Sequence, residues 1–290
     1  MLLESVEYTR PRNLDEALRA LASREGAAVL AGGQSLVNVL KNRVASVDLL
    51  VDVSRLDELR RIEVGADGGL EIGACVTYNE LERSDDIRGA QPMLASAAGH
   101  IEDRQIRNRG TIGGNCCLSD PSNNLPPLLI ALGATMNVQG PGGGRQVPAE
   151  DFFFGYFMPA LEPGEILRSI SIPPLAADAG VGYQALSVGH DSKAIVRAAA
   201  HIRGGDTIED ARVVLAVVGP RPVRHSAMED LLNGAPASAE TVERASEAVG
   251  DGDGLEPISD AHGSADYRRR VARVLARRAV YEAMMRGARS

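Results

Sequence analysis

The segment VLAGGQS, residues 29–35, decides how this chain is read. The apolar residues 27–30 read as a short buried strand, and Ala31-Gly32-Gly33-Gln34-Ser35 as the tight turn that it feeds. Upstream, Asn13 followed by Glu16 makes a capping box, and Leu14, Ala17, Leu18 and Leu21 recur at helical spacing, which predicts a helix over residues 14–24. Downstream, residues 49–53 read as a second strand with helical material between, giving a β–α–β unit in the first sixty residues. A second turn of the same kind, Thr111-Ile112-Gly113-Gly114-Asn115, follows a polar loop about eighty residues later.

A diphosphate takes several backbone N–H donors at close range, and glycine alone lets the main chain approach without a Cβ in the way. Two such turns can grip it from both sides. Ser35 is placed to open a helix whose dipole adds to the anion's stabilisation, and the Ser35 and Thr111 hydroxyls and the Asn115 amide are candidate further donors. Taken singly, each Gly-Gly also reads as an ordinary turn. No GxGxxG run opens a helix, so the β–α–β unit is not a conventional dinucleotide fold. The glycines at 140–144 lie between strand-like runs and read as a hairpin turn.

The remaining pattern divides the chain in two. A hairpin is expected over residues 62–64 and 70–76, a helix from Thr77 to Leu81, an Ala-rich helix over 93–101, an irregular Gly/Asn-rich stretch, a helix over 127–132, and strands at 135–139 and 165–172. The proline pair Pro173-Pro174 and the small polar residues to 178 mark the boundary. Beyond it, strand-like runs at 181–188, 194–202 and 211–218 suit an antiparallel meander, followed by helices at 226–232, 239–248 and 264–285. The fold class read from this is α+β, with a domain over 1–176 in two lobes (about 1–58 and 59–176) and a small C-terminal domain over 177–290, a three-stranded antiparallel sheet plus helices.

At 290 residues the chain suits two domains, and a net charge of -8 argues against nucleic acid or an anionic membrane as partner. No run approaches the roughly 20 apolar residues of a transmembrane segment. The opening residues lack a secretory pattern, so a cytoplasmic location is expected. Cys75, Cys116 and Cys117 offer neither a disulfide scaffold nor CxxC spacing, so neither an iron–sulfur cluster nor zinc is expected on this chain. Vicinal Cys116-Cys117 reads as buried apolar packing rather than a redox pair. His100, His190, His201, His225 and His262 show no metal-binding spacing, and His190-Asp191 reads as a polar pair in a loop rather than an acid–base pair. All four phenylalanines fall within residues 152–157; buried core and subunit-docking surface are both open readings of that run. The arginines from Arg268 to Arg278 read as the solvated face of a terminal helix.

VLAGGQSLVNVLKNR, then RNRGTIGGNCCLSDPSNNLPPLLIALGA, then GEILRSISIP resemble the FAD-binding medium subunit of the xanthine dehydrogenase and carbon monoxide dehydrogenase (molybdenum hydroxylase) family. The resemblance continues through AIVRAAAHI, VVGPRPVR and SADYRRRVARVLARRAVYEA. It implies a two-lobed FAD-binding domain of the p-cresol methylhydroxylase (PCMH) type, followed by a small C-terminal domain. It also implies that FAD is held by Ala31, Gly32, Gly33, Gln34, Ser35 and the adjoining Leu36, and by Thr111, Gly113, Gly114 and Asn115. Ile101 matches an apolar position near the cofactor, Asp120 lies beyond the second turn, Leu167 matches a residue against the flavin, and Gln184 falls where some relatives carry lysine. Asn124 stands where many relatives have aspartate, and Lys193 where an aromatic or aliphatic residue is expected near the flavin; an ammonium there would raise the flavin potential. The implied function is an electron relay with no catalytic side chain and no metal of its own. A large molybdopterin-binding subunit and a small [2Fe-2S] subunit are the implied partners, as a dimer of heterotrimers. The alternative is a stand-alone flavin oxidase of the PCMH type acting on its own organic substrate.

Overall fold

The computed structural model describes residues 3–189, 193–250 and 255–287. The first lobe contains β1 (Glu7–Thr9), α1 (Leu14–Ala22), β2 (Ala27–Leu30), α2 (Leu36–Lys41) and β3 (Leu49–Asp52). The three strands form a parallel sheet in the order β1-β3-β2. Leu14, Ala17, Leu18 and Leu21 of α1 are buried against it, as their spacing requires. The capping box is only half made. Asn13 Oδ1 accepts from Glu16 N at 2.8 Å, but the Glu16 carboxylate takes the N–H of Arg12 instead of that of Asn13. β1 has too few residues to leave a sequence signal; Tyr8 and Arg10 fasten it to β3 by donating to Asp52 at 2.5 and 3.0 Å.

The second lobe runs through β4 (Ile62–Val64), β5 (Leu70–Gly73), α3 (Tyr78–Arg83), α4 (Asp85–Ala90), α5 (Pro92–Gly99), α6 (Arg104–Arg107), α7 (Ile112–Leu118) and α8 (Leu125–Ala131). It continues with β6 (Thr135–Gly140), β7 (Gly143–Pro148), the short pair β8 (Phe153–Gly155) and β9 (Met158–Pro159), and β10 (Ile166–Ile172). Hairpins β4–β5 and β6–β7 are joined by β10, which enters last and lies between β5 and β6. The stretch expected to be irregular contains α6 and α7. Helix propensity is poor at Gly113-Gly114, and α7 exists because Thr111 caps it and the segment just after β5 braces its first turn. The aromatic run divides between its two readings. Phe152 and Phe153 are buried edge-to-face at 5.3 Å, whereas Phe154, Tyr156 and Phe157 are exposed.

The last part comprises β11 (Ala179–Ser187), β12 (Ala194–Gly204), β13 (Ile208–Ala216), β14 (Val223–Arg224), α9 (Ser226–Leu232), α10 (Ala239–Ser246) and α11 (Ala265–Gly287). Its antiparallel sheet has four strands, not the three expected, because β14 adds a two-residue edge to β13. One face packs on the helices. From the other, Val181, Ala199 and Val214 join the core that Ile112 and Cys116 of α7 share with the second lobe. One arginine departs from the solvated-face reading of α11: Arg268 is 2 % exposed and donates to Ile195 O and to Asp260. The His190-Asp191 pair lies outside the described residues.

Candidate functional site

β2 delivers its chain to the carboxyl edge of the parallel sheet, where the first glycine turn begins. Gly33 turns the backbone with φ +76°, a conformation that a side chain resists, and α2 starts at Leu36. Ser35 precedes that helix without capping it, and Gln34 gives its carbonyl to Asn38 Nδ2. The N–H groups of Gly32, Gly33, Gln34 and Ser35 have no acceptor among the described residues. Four donors in sequence, half-exposed at the carboxyl edge of parallel strands, form the kind of concavity that takes an anion.

The second turn arrives beside the first. A Cβ on Gly32 would lie 2.0 Å from the carbonyl oxygen of Arg109 and 3.0 Å from Gly110 Cα, so the two stretches are in backbone contact. The glycines of the second turn have a structural task that the sequence did not reveal. A Cβ on Gly113 would fall 2.5 Å from Ala74 Cβ, and the Ile112 and Gly113 N–H groups donate to Val76 and Ala74. Gly114 N–H donates to Thr111 Oγ1 at 3.0 Å, and Asn115 N–H to Thr111 O. The second turn therefore offers few free main-chain donors; what remains is the Thr111 N–H and its hydroxyl proton. Asn115 also differs from expectation. Its Nδ2 is spent on Tyr78 Oη at 3.0 Å, and its buried Oδ1 has no partner among the described residues, so it presents an acceptor to a hydroxyl or N–H rather than a donor to a phosphate.

After α7, residues 119–124 form a loop held from several sides. Ser119, at φ 49°, donates to Gly155 O and accepts from Phe157 N–H, which ties the aromatic β8–β9 pair to the end of α7. Asp120 Oδ1 accepts from Ser122 N–H and Oγ, and Oδ2 accepts from Lys193 Nζ at 2.5 Å. Burial alone would raise the Asp120 carboxyl; the Lys193 ammonium and the Ser122 donors more than offset it and hold the group below the usual carboxylate range. Lys193 is thus a paired cation, with its side chain 64 % exposed. The Asn124 carboxamide, oriented oxygen-first, accepts from both terminal nitrogens of Arg197 at 3.2 and 3.0 Å, so its oxygen is engaged within the protein.

Three candidates sit elsewhere. Ile101 and Leu167, 2 % and 3 % exposed, are buried with Ile112 and Cys116 in the core that supports α7. Gln184 donates to Glu282 Oε2 of α11 at 2.9 Å. Its neighbour Tyr183 reaches Asn124, and consecutive strand residues face opposite ways, so the structure does not bring Gln184 to the turns. Glu282 also borders a cleft of about 570 Å³ lined by Gln91, Met93, Leu175, Val181 and Met285, to which no glycine-turn residue contributes. Burial pushes the Cys116 thiol well up and that of Cys117 to about 12, which suits packing and not thiolate chemistry. Sequence reasoning missed Tyr78, Tyr183 and Arg197. Arg197 left a signal, an isolated cation within the apolar run AIVRAAAHI.

Unspent donors on one turn, an orphaned acceptor beside the other and a backbone contact between them fit a ligand carrying both diphosphate and hydroxyl groups. Residues 4–175 match the family model described as the FAD binding domain in molybdopterin dehydrogenase, and residues 182–283 that of the CO dehydrogenase flavoprotein C-terminal domain. The chain belongs to the FAD-binding subunits of the molybdenum hydroxylase family. It is 36% identical to the carbon monoxide dehydrogenase medium chain of Hydrogenophaga pseudoflava, over 99% of each chain. It is 34% identical to the nicotine 6-hydroxylase medium subunit of Paenarthrobacter nicotinovorans, over 98% of this chain and 99% of that one. Among solved structures, that of carbon monoxide dehydrogenase from Hydrogenophaga pseudoflava lacking the Mo-pyranopterin moiety superposes with a TM-score of 0.94 at 36% identity, covering 98% of this chain and 99% of that chain. Quinoline 2-oxidoreductase from Pseudomonas putida 86 gives 0.92 at 32% identity, with the same coverage. This member of the family is accordingly an FAD-binding oxidoreductase component. No described helix is long and apolar enough to cross a membrane.

Proposed function

We propose that this flavoprotein is the electron relay of a molybdenum hydroxylase complex. A large subunit holding molybdopterin would oxidise the substrate, and a small subunit would pass the electrons through [2Fe-2S] clusters to FAD held here, and from there to an external acceptor. FAD supplies the exchange between one-electron donors and a two-electron acceptor. The chain's own residues then have to bind and orient it. The N–H groups of Gly32 to Ser35, with Thr111, would hold the diphosphate, and Asn115 Oδ1 would accept from a hydroxyl of the cofactor. Ala31 and Leu36 flank the first turn, while Gly113 and Gly114 let α7 sit against Ala74, just after β5, and cap itself on Thr111. Asp120, Asn124 and Lys193 shape the adjoining loop and its contact with the C-terminal part. We divide the chain after residue 176, in the link between β10 and β11. The exposed Phe154, Tyr156, Phe157 and Met158 offer an apolar surface to another subunit. Assembly as a dimer of heterotrimers is part of the proposal, and three free cysteines suit a cytoplasmic setting.

The observation that carries the reading is the run of unspent N–H donors where the two turns touch. Its test is the complex stripped of FAD. Substrate should still reduce the iron–sulfur clusters, electron delivery to the acceptor should stop, and added FAD should restore it. Full acceptor reduction without FAD would contradict the relay. Reduction of the FAD on the isolated chain by an organic substrate would favour a stand-alone oxidase.

A further inference from the structure

Two residues of the C-terminal sheet, and Lys193 just before β12, reach across to the loop that follows α7. Lys193 binds Asp120, Tyr183 Oη donates to Asn124 O at 2.7 Å, and Arg197 spans the middle. Arg197 Nε donates to Ser122 O at 3.3 Å, Nη1 to Tyr183 Oη at 3.1 Å, and both terminal nitrogens face the Asn124 amide oxygen. Its side chain leaves β12 between Val196 and Ala198, which pack on the opposite face with the helices, and it is 4 % exposed. The planar guanidinium meets acceptors on two loop residues and a tyrosine at once, a geometry that an ammonium does not reproduce.

All these acceptors are neutral. Among the described residues no carboxylate lies within ion-pair distance of Arg197, whereas Lys193 is exposed and neutralised by Asp120 at 2.5 Å. A buried cation without an anionic partner costs free energy that the protein must recover elsewhere, and its field is only weakly screened. The Lys193–Asp120 pair acts at a distance as a dipole exposed to water, and its field decays quickly.

We propose that Arg197 is the positioning residue of the 120–124 loop and supplies the fixed positive charge felt by the bound cofactor. This rests on the reading of that loop as part of the FAD site. A fixed cation held to this loop would favour the more negative, reduced form of FAD bound there, so Arg197 would raise its potential. The role first assigned by sequence to Lys193 thereby moves to Arg197.

The test uses the full-length chain in its complex, with FAD removed and then titrated back, followed by potentiometry of the bound FAD. Arg197→Gln should weaken FAD binding about tenfold or more, as loss of a hydrogen-bonded charged group does, and shift the midpoint potential negative. Arg197→Lys keeps the charge and loses the fork, so affinity should stay reduced while the potential returns towards wild type. Lys193→Met should move the potential less than Arg197→Gln does. Wild-type affinity and potential in Arg197→Gln would overturn the inference and leave FAD binding intact as a reading; a wild-type chain that takes up no FAD would remove both. If Arg197→Gln fails to fold, Arg197→Lys decides, since unchanged FAD affinity in that variant also overturns the inference.

Discussion

A methyl group on Gly32 has nowhere to go, because the Arg109 carbonyl oxygen occupies its place. Gly32→Ala must push the two turns apart, and overpacking of this kind predicts an FAD affinity about tenfold weaker or worse, read by flavin fluorescence on titration. Gly142→Ala, with open space around it, is the control and should bind normally. His201 makes stability depend on pH. Burial, then Arg212, lowers its pKa from an ordinary value near 6.5. In the unfolded chain the imidazole takes up a proton as pH falls through that value, while the folded chain resists until lower pH. Stability should therefore drop on acidification below about pH 6.5. His201→Gln should flatten that part of a denaturation-versus-pH curve; an unchanged slope would count against the assignment. The glycines themselves were legible in sequence because both sit where the main chain must bend or approach. Their partners were not. That Gly113 answers to Ala74, or that the Asn115 donor is spent on Tyr78, depends on contacts between residues tens of positions apart.

Among the elements at the site, α7 is intrinsically weak. Its first turn contains two glycines, and its start depends on the Thr111 hydroxyl and on two N–H bonds to Ala74 and Val76, just after β5. Thr111→Ala should cost about 1 kcal/mol of stability and raise amide exchange selectively in residues 112–118, with FAD affinity falling in parallel. Protection unchanged from wild type would show that α7 does not rely on its cap. The sequence disclosed elements with strong periodicity or clear punctuation, such as α1, α9 and the β6–β7 hairpin. It concealed α6, α7, β1 and β14 because these are short and are held by tertiary partners rather than by local propensity. The solvated-face reading of α11 failed at Arg268 for a related reason. A helix face looks polar in sequence whether its cation meets water or a buried carbonyl such as Ile195 O.

The whole molecule is knit by a core that ignores the division of the chain. Val181, Ala199 and Val214 belong to the C-terminal sheet, yet they are buried with the helices and strands of the second lobe. Arg197 and Tyr183 add polar ties to the same junction. Cooperative unfolding should follow, with one calorimetric transition for the full chain and no stable fold for a fragment ending at residue 175. Two separated transitions would mean that the parts are independent. Pro173-Pro174 marks a division in the sequence, but nothing there marks the shared core, since continuous burial on both faces of β12 reads simply as an apolar strand.

The central claim is that two distant turns meet to hold one diphosphate, and the most direct measurement is an experimental structure of the chain with FAD bound. Diphosphate oxygens are expected within hydrogen-bond distance of the N–H groups of Gly32 to Ser35 and of Thr111, with a hydroxyl of the cofactor against Asn115 Oδ1. A diphosphate lodged anywhere else, with those donors facing only water, would contradict it.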